Sequence, residues 1–257
     1  PEEEYLVRTH EEARPGRAGG AVDRRVEPAA DDALLFRHVV TETDDGHGHE
    51  WSLTVEYAAD PTHDAVVADV AFEAHDGKTY EVFAVADTAP RTPGERDRGL
   101  RLGEPGEHHL VVRDAAAYTG EPVAPLLVDE AGEGYSVALA LAAADRFDWA
   151  TVGVAGGDHL AEVFSAGPLP EPRGRVDGDH VVLVGRLGAG TRVGGQVALG
   201  LARKGDTAAA LGEAQGSFAR GYDAVREAYR ESWRAYLDGR PLPASVADDP
   251  DLANQYR

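Results

Sequence analysis

A chain of 257 residues with 42% apolar side chains is long enough for one large β domain or two smaller ones around a buried core. Its 46 acidic and 25 basic residues leave a formal charge of −21, which argues against nucleic acid or anionic lipid as a partner, because phosphate is repelled at long range. The absence of cysteine excludes disulfides and thiolate metal sites and leaves the redox compartment open.

Residues 1–32 are poor in apolar side chains and close on RPGRAGGAVDRRVEPAADD, which predicts one strand at 4–9 and then a loop. From Ala33 onward the period is two. ALLFRHVVT, WSLTVEY and AVVADVAFEA read as strands, with Trp51, Leu53, Val55 and Tyr57 alternating, and then Val66, Ala68, Val70 and Phe72 on one face. Further strands are predicted at 79–86, 108–113, 123–129, 135–142, 159–164, 180–187 and 191–198, separated by turn sequences such as ADPTHD, HDGK and VDGD. The stretch TAPRTPGERDRG, residues 88–99, reads as a polar loop. Short strands punctuated by Gly, Pro and Asp, with no helix between them, predict a mainly β protein built as an antiparallel sandwich.

After Leu201 the pattern turns helical. Asp206 is placed to cap TAAALGEAQ, and Phe218, Tyr222, Val225, Tyr229, Trp233 and Tyr236 then recur at spacings of four, three, four, four and three. That predicts one continuous aromatic face, opposed by Arg220, Asp223, Arg226, Glu227, Arg230, Glu231 and Arg234, and a stop at Gly239 and Pro241. A second helical start follows in ASVADDPDLANQYR. No window approaches the ~18 uninterrupted apolar residues of a membrane helix. PEEEYLVRTH is no secretory signal, so the chain reads as soluble, with extracellular and cytoplasmic placement equally open. Starting at Pro1 and lacking Met, it reads as a trimmed piece of a longer polypeptide.

No catalytic motif stands out: GxSxG, GxxxxGK[ST] and HExxH are all absent, and among so many acids no carboxylate pair is singled out. Adjacent His108 and His109 point to opposite faces of a strand, and His47 and His49 in DDGHGHEW read as part of a polar turn, so neither a metal site nor a cofactor is assigned. Trp51 alternates with Leu53 and Val55 and reads as core. Trp149, beside Asp145 and Asp148 in DRFDWATVG, is the candidate sugar contact, since an aromatic face suits the CH face of a pyranose; packing is the competing reading. The scarcity of lysine, with Lys78 and Lys204 alone, and the scattered acids fit adaptation to high salt or a GC-rich genome equally well.

The ordered blocks LLFRHVVTETDDGHGHEWSLTVEYAADPTHDAVVADVAFEAHDGKTYEVFAVADTAP, AADRFDWATVGVAGG, GSFARGYDAVREAYRESWRAYLDG and ANQYR resemble the N-terminal domain of bacterial and archaeal glucoamylases and glucodextranases, glycoside hydrolase family 15. The resemblance implies a galactose-mutarotase-like β-supersandwich over 1–203, a helical linker over 204–240, and at 241–257 the start of an (α/α)6 catalytic barrel. It implies a linker that packs against both sandwich and barrel, the barrel being the implied partner and the part that meets the α-glucan; Phe218, Tyr222, Tyr229, Trp233 and Tyr236 are expected to bury against the two. Both catalytic glutamates of the family belong to the barrel, so no catalytic residue is assigned here. Two features depart from the family pattern: no Gly-Asn-Gly segment precedes the first strands, and the charged loop 88–99 replaces a longer asparagine-containing one. A stand-alone carbohydrate-binding sandwich and an aldose-epimerase-like enzyme are the alternatives.

Overall fold

The computed structural model describes residues 22–43, 48–88, 97–104, 107–114, 137–165, 168–203 and 205–238. In chain order the elements are β1 (Val22–Pro28), β2 (Phe36–Glu42), β3 (Trp51–Ala59), β4 (Ala65–Ala74), β5 (Tyr80–Thr88), β6 (Asp97–Leu102), β7 (His109–Asp114), β8 (Val137–Ala143), β9 (Trp149–Val154), α1 (Asp158–Val163), β10 (Arg175–Gly178), β11 (Val181–Gly190), β12 (Arg192–Arg203), α2 (Thr207–Arg220) and α3 (Tyr222–Asp238). Nine strands form one sheet in the order β1-β2-β3-β4-β12-β8-β7-β6-β10, and three form another in the order β5-β11-β9. All the pairings are antiparallel, as the period-two pattern and the lack of crossover helices require.

The two sheets stack, and the sequence alternation shows which face goes where. Leu139 and Leu141 of β8 join Leu110, Val112, Phe147, Val152, Val181 and Leu183 between the sheets. At the other end of the sandwich Trp51, Leu53, Val55 and Phe72 pack with Tyr80 and Val82 of β5. The intervening β8 residues Ala138, Ala140 and Ala142 turn to the opposite face of the large sheet, where α2 and α3 lie. Small side chains there let the helix come close. At Gly200 of β12 an added Cβ would sit 2.1 Å from the Ala210 carbonyl oxygen, so α2 rests directly on strand backbone.

Several sequence expectations are corrected. Residues 159–164, expected as a strand, are mostly α1: His159, Leu160 and Val163 are buried at helical spacing, covering Val182 and Val184 on the outer face of the small sheet. The loop expected before residue 33 contains β1, and the loop expected over 88–99 ends in the start of β6. Both strands are charged (VDRRVEP and DRGLRL), and such edge-like sequences carry little period-two apolar signal. The single aromatic helix is two helices, because Gly221 at φ 79° ends α2 and starts α3. The strands expected at 4–9 and 123–129, the stop at Gly239 and Pro241, and the segment 241–257 lie outside the described residues.

Candidate interdomain site

The helix pair begins as its sequence dictates. Asp206 accepts hydrogen bonds from the Ala208 and Ala209 amides at 3.1 and 2.9 Å, satisfying two free donors at the start of α2. Ala210, Ala214 and Ser217, one stripe at helical spacing, are buried against the large sheet. Beyond Gly221, Tyr222 and Val225 bury with Leu35, Ala58 and Val67, and Phe218 and Tyr229 are partly buried against the same cluster.

Three carboxylates hold the pair in place. Asp60, just past β3, is 6% exposed and accepts from the Thr62 amide (2.9 Å), Thr62 Oγ1 (2.8 Å), Ser217 Oγ (2.8 Å) and the Arg220 guanidinium, with His63 Nδ1 at 3.0 Å. Burial would raise its pKa, but the hydrogen bonds from Thr62, Ser217 and His63 outweigh burial and bring it from 3.8 down to about 2. Glu213 of α2 accepts from the Asp64 amide at 3.0 Å, so Glu213, Ser217 and Arg220 clasp the β3–β4 turn along one helix face.

Glu56 on β3 is the second anchor. It accepts from Arg37 (3.0 Å), Tyr222 (3.1 Å) and Arg226, and these bonds lower its pKa against the opposing effect of burial. Glu56 and Asp60 thus straddle the break at Gly221, one holding α3 and the other α2. The third anchor is Asp32, between β1 and β2, which accepts from Arg230 at 3.1 Å and Arg234 at 2.6 Å. Arg234 first, then Arg230, holds its carboxyl below the usual range. Glu227 ties the same two arginines from within α3, at 3.0 and 3.1 Å. Arg226, Arg230 and Arg234 recur every fourth residue, a donor stripe visible in the sequence; their acceptors come from strand and turn positions that no local pattern marks.

Past Tyr229 the aromatic side chains leave the core. Tyr229, Trp233 and Tyr236 form an edge-to-face series with centroid separations of 6.3 and 5.6 Å. Trp233 is half-buried, and Tyr236 is 49% exposed. The five expected packing residues therefore divide: Phe218, Tyr222 and Tyr229 face this domain's own sheet, whereas Trp233 and Tyr236 project from the last turns of α3.

The expected sugar-contact residues lie elsewhere, at the small sheet. Trp149 opens β9, is half-buried on the outer face, and meets Phe83 edge-on at 6.1 Å. Asp148 is held by Arg186 through bonds of 2.9 and 2.8 Å, and Arg186 reaches Glu81 at 2.6 Å, linking β9, β11 and β5. Asp145 is exposed in the preceding turn. Among the described residues no group of three or more His, Asp or Glu is arranged to hold a metal, and no helix is long and apolar enough to cross a membrane.

A sandwich with two carboxylate-anchored helices at its end matches the family model described as glucodextranase, domain N, over residues 4–238. This chain belongs to that domain N family. A solved structure of a bacterial glucoamylase complexed with acarbose aligns with a TM-score of 0.63 at 14% sequence identity, covering 84% of this chain and 29% of the glucoamylase chain. At that identity the likeness speaks for the fold, and this domain N spans well under half of the glucoamylase chain it matches. No curated protein matches the sequence.

Proposed function

We propose that this domain N is the noncatalytic N-terminal part of a glucoamylase-like, inverting exo-α-glucosidase acting on α-glucans, and that it serves to seat and stabilise a following (α/α)6 catalytic barrel. In this reading residues 1–203 are the β-supersandwich and 204–240 the connector. The observation that carries it is the division of the aromatic side chains of α3: Tyr222 and Tyr229 pack on the domain's own sheet, with Glu56 and Asp32 holding Arg226, Arg230 and Arg234, while Trp233 and Tyr236 project beyond the domain's own core clusters. A helix fixed to its own domain along its length and carrying outward aromatic rings in its last turns is suited to transmit the position of one domain to the next. In keeping with a noncatalytic role, three of the four buried carboxylates among the described residues, Glu42, Glu56 and Asp60, are engaged by Trp51, by Tyr222 and Arg226, and by Ser217 and Arg220 respectively. The glycosidic bond would be cut between two glutamates of the barrel, one protonating the leaving oxygen and the other activating water.

The test compares this 257-residue chain with the polypeptide in which it is continuous with its barrel. Glucose release from maltose and isomaltose oligomers by the longer polypeptide alone is the expected result; release by the shorter chain would overturn the noncatalytic assignment.

A second reading, sugar binding by the domain itself, is favoured by the half-buried ring of Trp149 beside Phe83, preceded in the chain by the Arg186-bound Asp148 and the exposed Asp145. Calorimetric titration with the same oligomers decides it, and a flat trace removes it.

A further inference from the structure

The inner face of the large sheet is wider than the small sheet that covers it. Across β1, β2 and β3 the residues Val26, His38 and Val55 stand abreast, and Pro28 stands beside Phe36, all on the face where Val40, Leu53 and Trp51 are buried. Tyr57 shares that face and meets the His38 ring edge-on at 5.5 Å. Burial fails toward the edge: Leu53 and Val55 are 8% exposed, whereas Phe36 is 43% and Val26 57% exposed.

The position of β5 explains where burial stops. Its Tyr80 and Val82 pack on Leu53 and Phe72, and its Ala84 and Ala86 pack on the cluster of Leu110, Leu141 and Val197. Next to it β11 touches β7 and β12, and β9 touches β6 and β7, so the far edge of β5 is the one turned toward β1 and β2. Among the described residues β5 pairs with β11 alone, which leaves that edge without a ladder. Val85, on the outer face of β5, is 49% exposed. An open edge above exposed aliphatic and aromatic side chains has room for one more strand, about 4.8 Å farther out.

We propose that residues 4–9, EYLVRT, fill that place as a fourth strand of the small sheet, paired with β5, with Tyr5 and Val7 turned onto Phe36 and Tyr57 and with Leu6 and Arg8 outward beside Val85. The segment is identified by where it joins the fold. Val22, at the start of β1, packs on the same cluster as Tyr80 and Val82, so the chain enters β1 beside the beginning of the open edge. The 12 residues 10–21 reach up to about 40 Å when extended, enough to return from the far end of β5. Charge agrees as well. With Tyr5 and Val7 inward, Arg8 falls on the outer face, where β5 carries Glu81 and Asp87. The domain N match takes in the chain from residue 4 onward. The apolar stretch at 122–127 is a poorer occupant, because Pro122 and Pro125 cannot donate to a ladder. None of this depends on the catalytic partner proposed above.

The chain has no cysteine, so Val85→Cys accepts a single nitroxide label. In the labelled 257-residue chain the backbone NMR signals of residues 4–9 should broaden, and in the unlabelled chain the β5 amides not bonded to β11 should exchange roughly tenfold more slowly than in Val7→Asp. Edge amides that exchange equally in the two would refute the inward placement of Val7. Broadening of residues 115–136 in place of 4–9 would give the site to that segment and overturn the proposal. Broadening of 4–9 only between chains, in a mixture of spin-labelled and isotope-labelled protein, would make a second copy the occupant. No broadened segment together with freely exchanging edge amides would leave the face bare and overturn it outright.

Discussion

Asp60 and Ser217 stand 157 positions apart in the chain, and Ser217 Oγ donates to Asp60 Oδ2 at 2.8 Å. With Arg220 on the same carboxylate and Tyr222 and Arg226 on Glu56, the break between α2 and α3 sits between two buried anions of one strand and its turn. The orientation of α3 is therefore set from the sheet.

Removing the Asp60 carboxylate should be costly. Asp60→Ala strands the Ser217 hydroxyl and the Arg220 guanidinium, and breaking a buried charged pair from one side typically costs about 3–5 kcal/mol. Urea unfolding of the 257-residue chain measures it, with Asp60→Asn expected to cost less because it keeps part of the hydrogen bonding. A loss below about 1 kcal/mol would mean that water satisfies the abandoned donors.

Acid should unfasten the same junction. A carboxylate whose folded pKa is depressed stabilises the fold above its unfolded pKa, and that contribution is lost as pH falls through the folded value. For Asp60 the window runs from about 4 down to about 2 and the amount is about 2 kcal/mol; Glu56, also lowered, acts in the same direction. Melting temperature followed across that range should fall less steeply in Asp60→Asn than in the wild type, and equal slopes would refute the assignment.

Gly200→Ala tests the close approach of α2 to β12. The new methyl would meet the Ala210 carbonyl oxygen and the Ala214 amide, backbone atoms that cannot rotate away, so a loss of about 1–3 kcal/mol or more is expected in thermal denaturation. Unchanged stability would show that the helix can lift from the sheet without cost.

Trp233→Ala should behave differently in its two contexts. The side chain is half-buried and outside the core clusters, so truncation should cost the 257-residue chain about 1 kcal/mol or less. In the polypeptide carrying the barrel it should cost the roughly 3–5 kcal/mol of a buried aromatic. Equal small losses in both would leave Trp233 without a role in joining domains.

Salt offers a further check. With a net charge of −21, self-repulsion should outweigh the exposed ion pairs, such as Arg192 with Glu73. Raising NaCl from about 0.1 M to about 1 M shortens the screening length from about 10 to 3 Å and should raise the melting temperature. A fall would show that the ion pairs matter more than the repulsion.

The antiparallel β class, the helical C-terminal part, the Asp206 cap and the burial of Trp51 were all legible in the sequence, because each rests on a local period or on one residue acting on its immediate neighbours. In the sequence ADPTHD reads only as a turn between strands; the structure gives it a further task, since Asp60, Thr62 and His63 within it meet α2. Tertiary structure alone decided which acids anchor the helices, that α1 covers the small sheet, that the helix breaks at Gly221, and that the aromatic run divides after Tyr229 into rings facing inward and rings facing out. Periodicity shows that a face exists, whereas its partner is chosen by register and packing between segments separated by up to 202 positions, as Asp32 and Arg234 are.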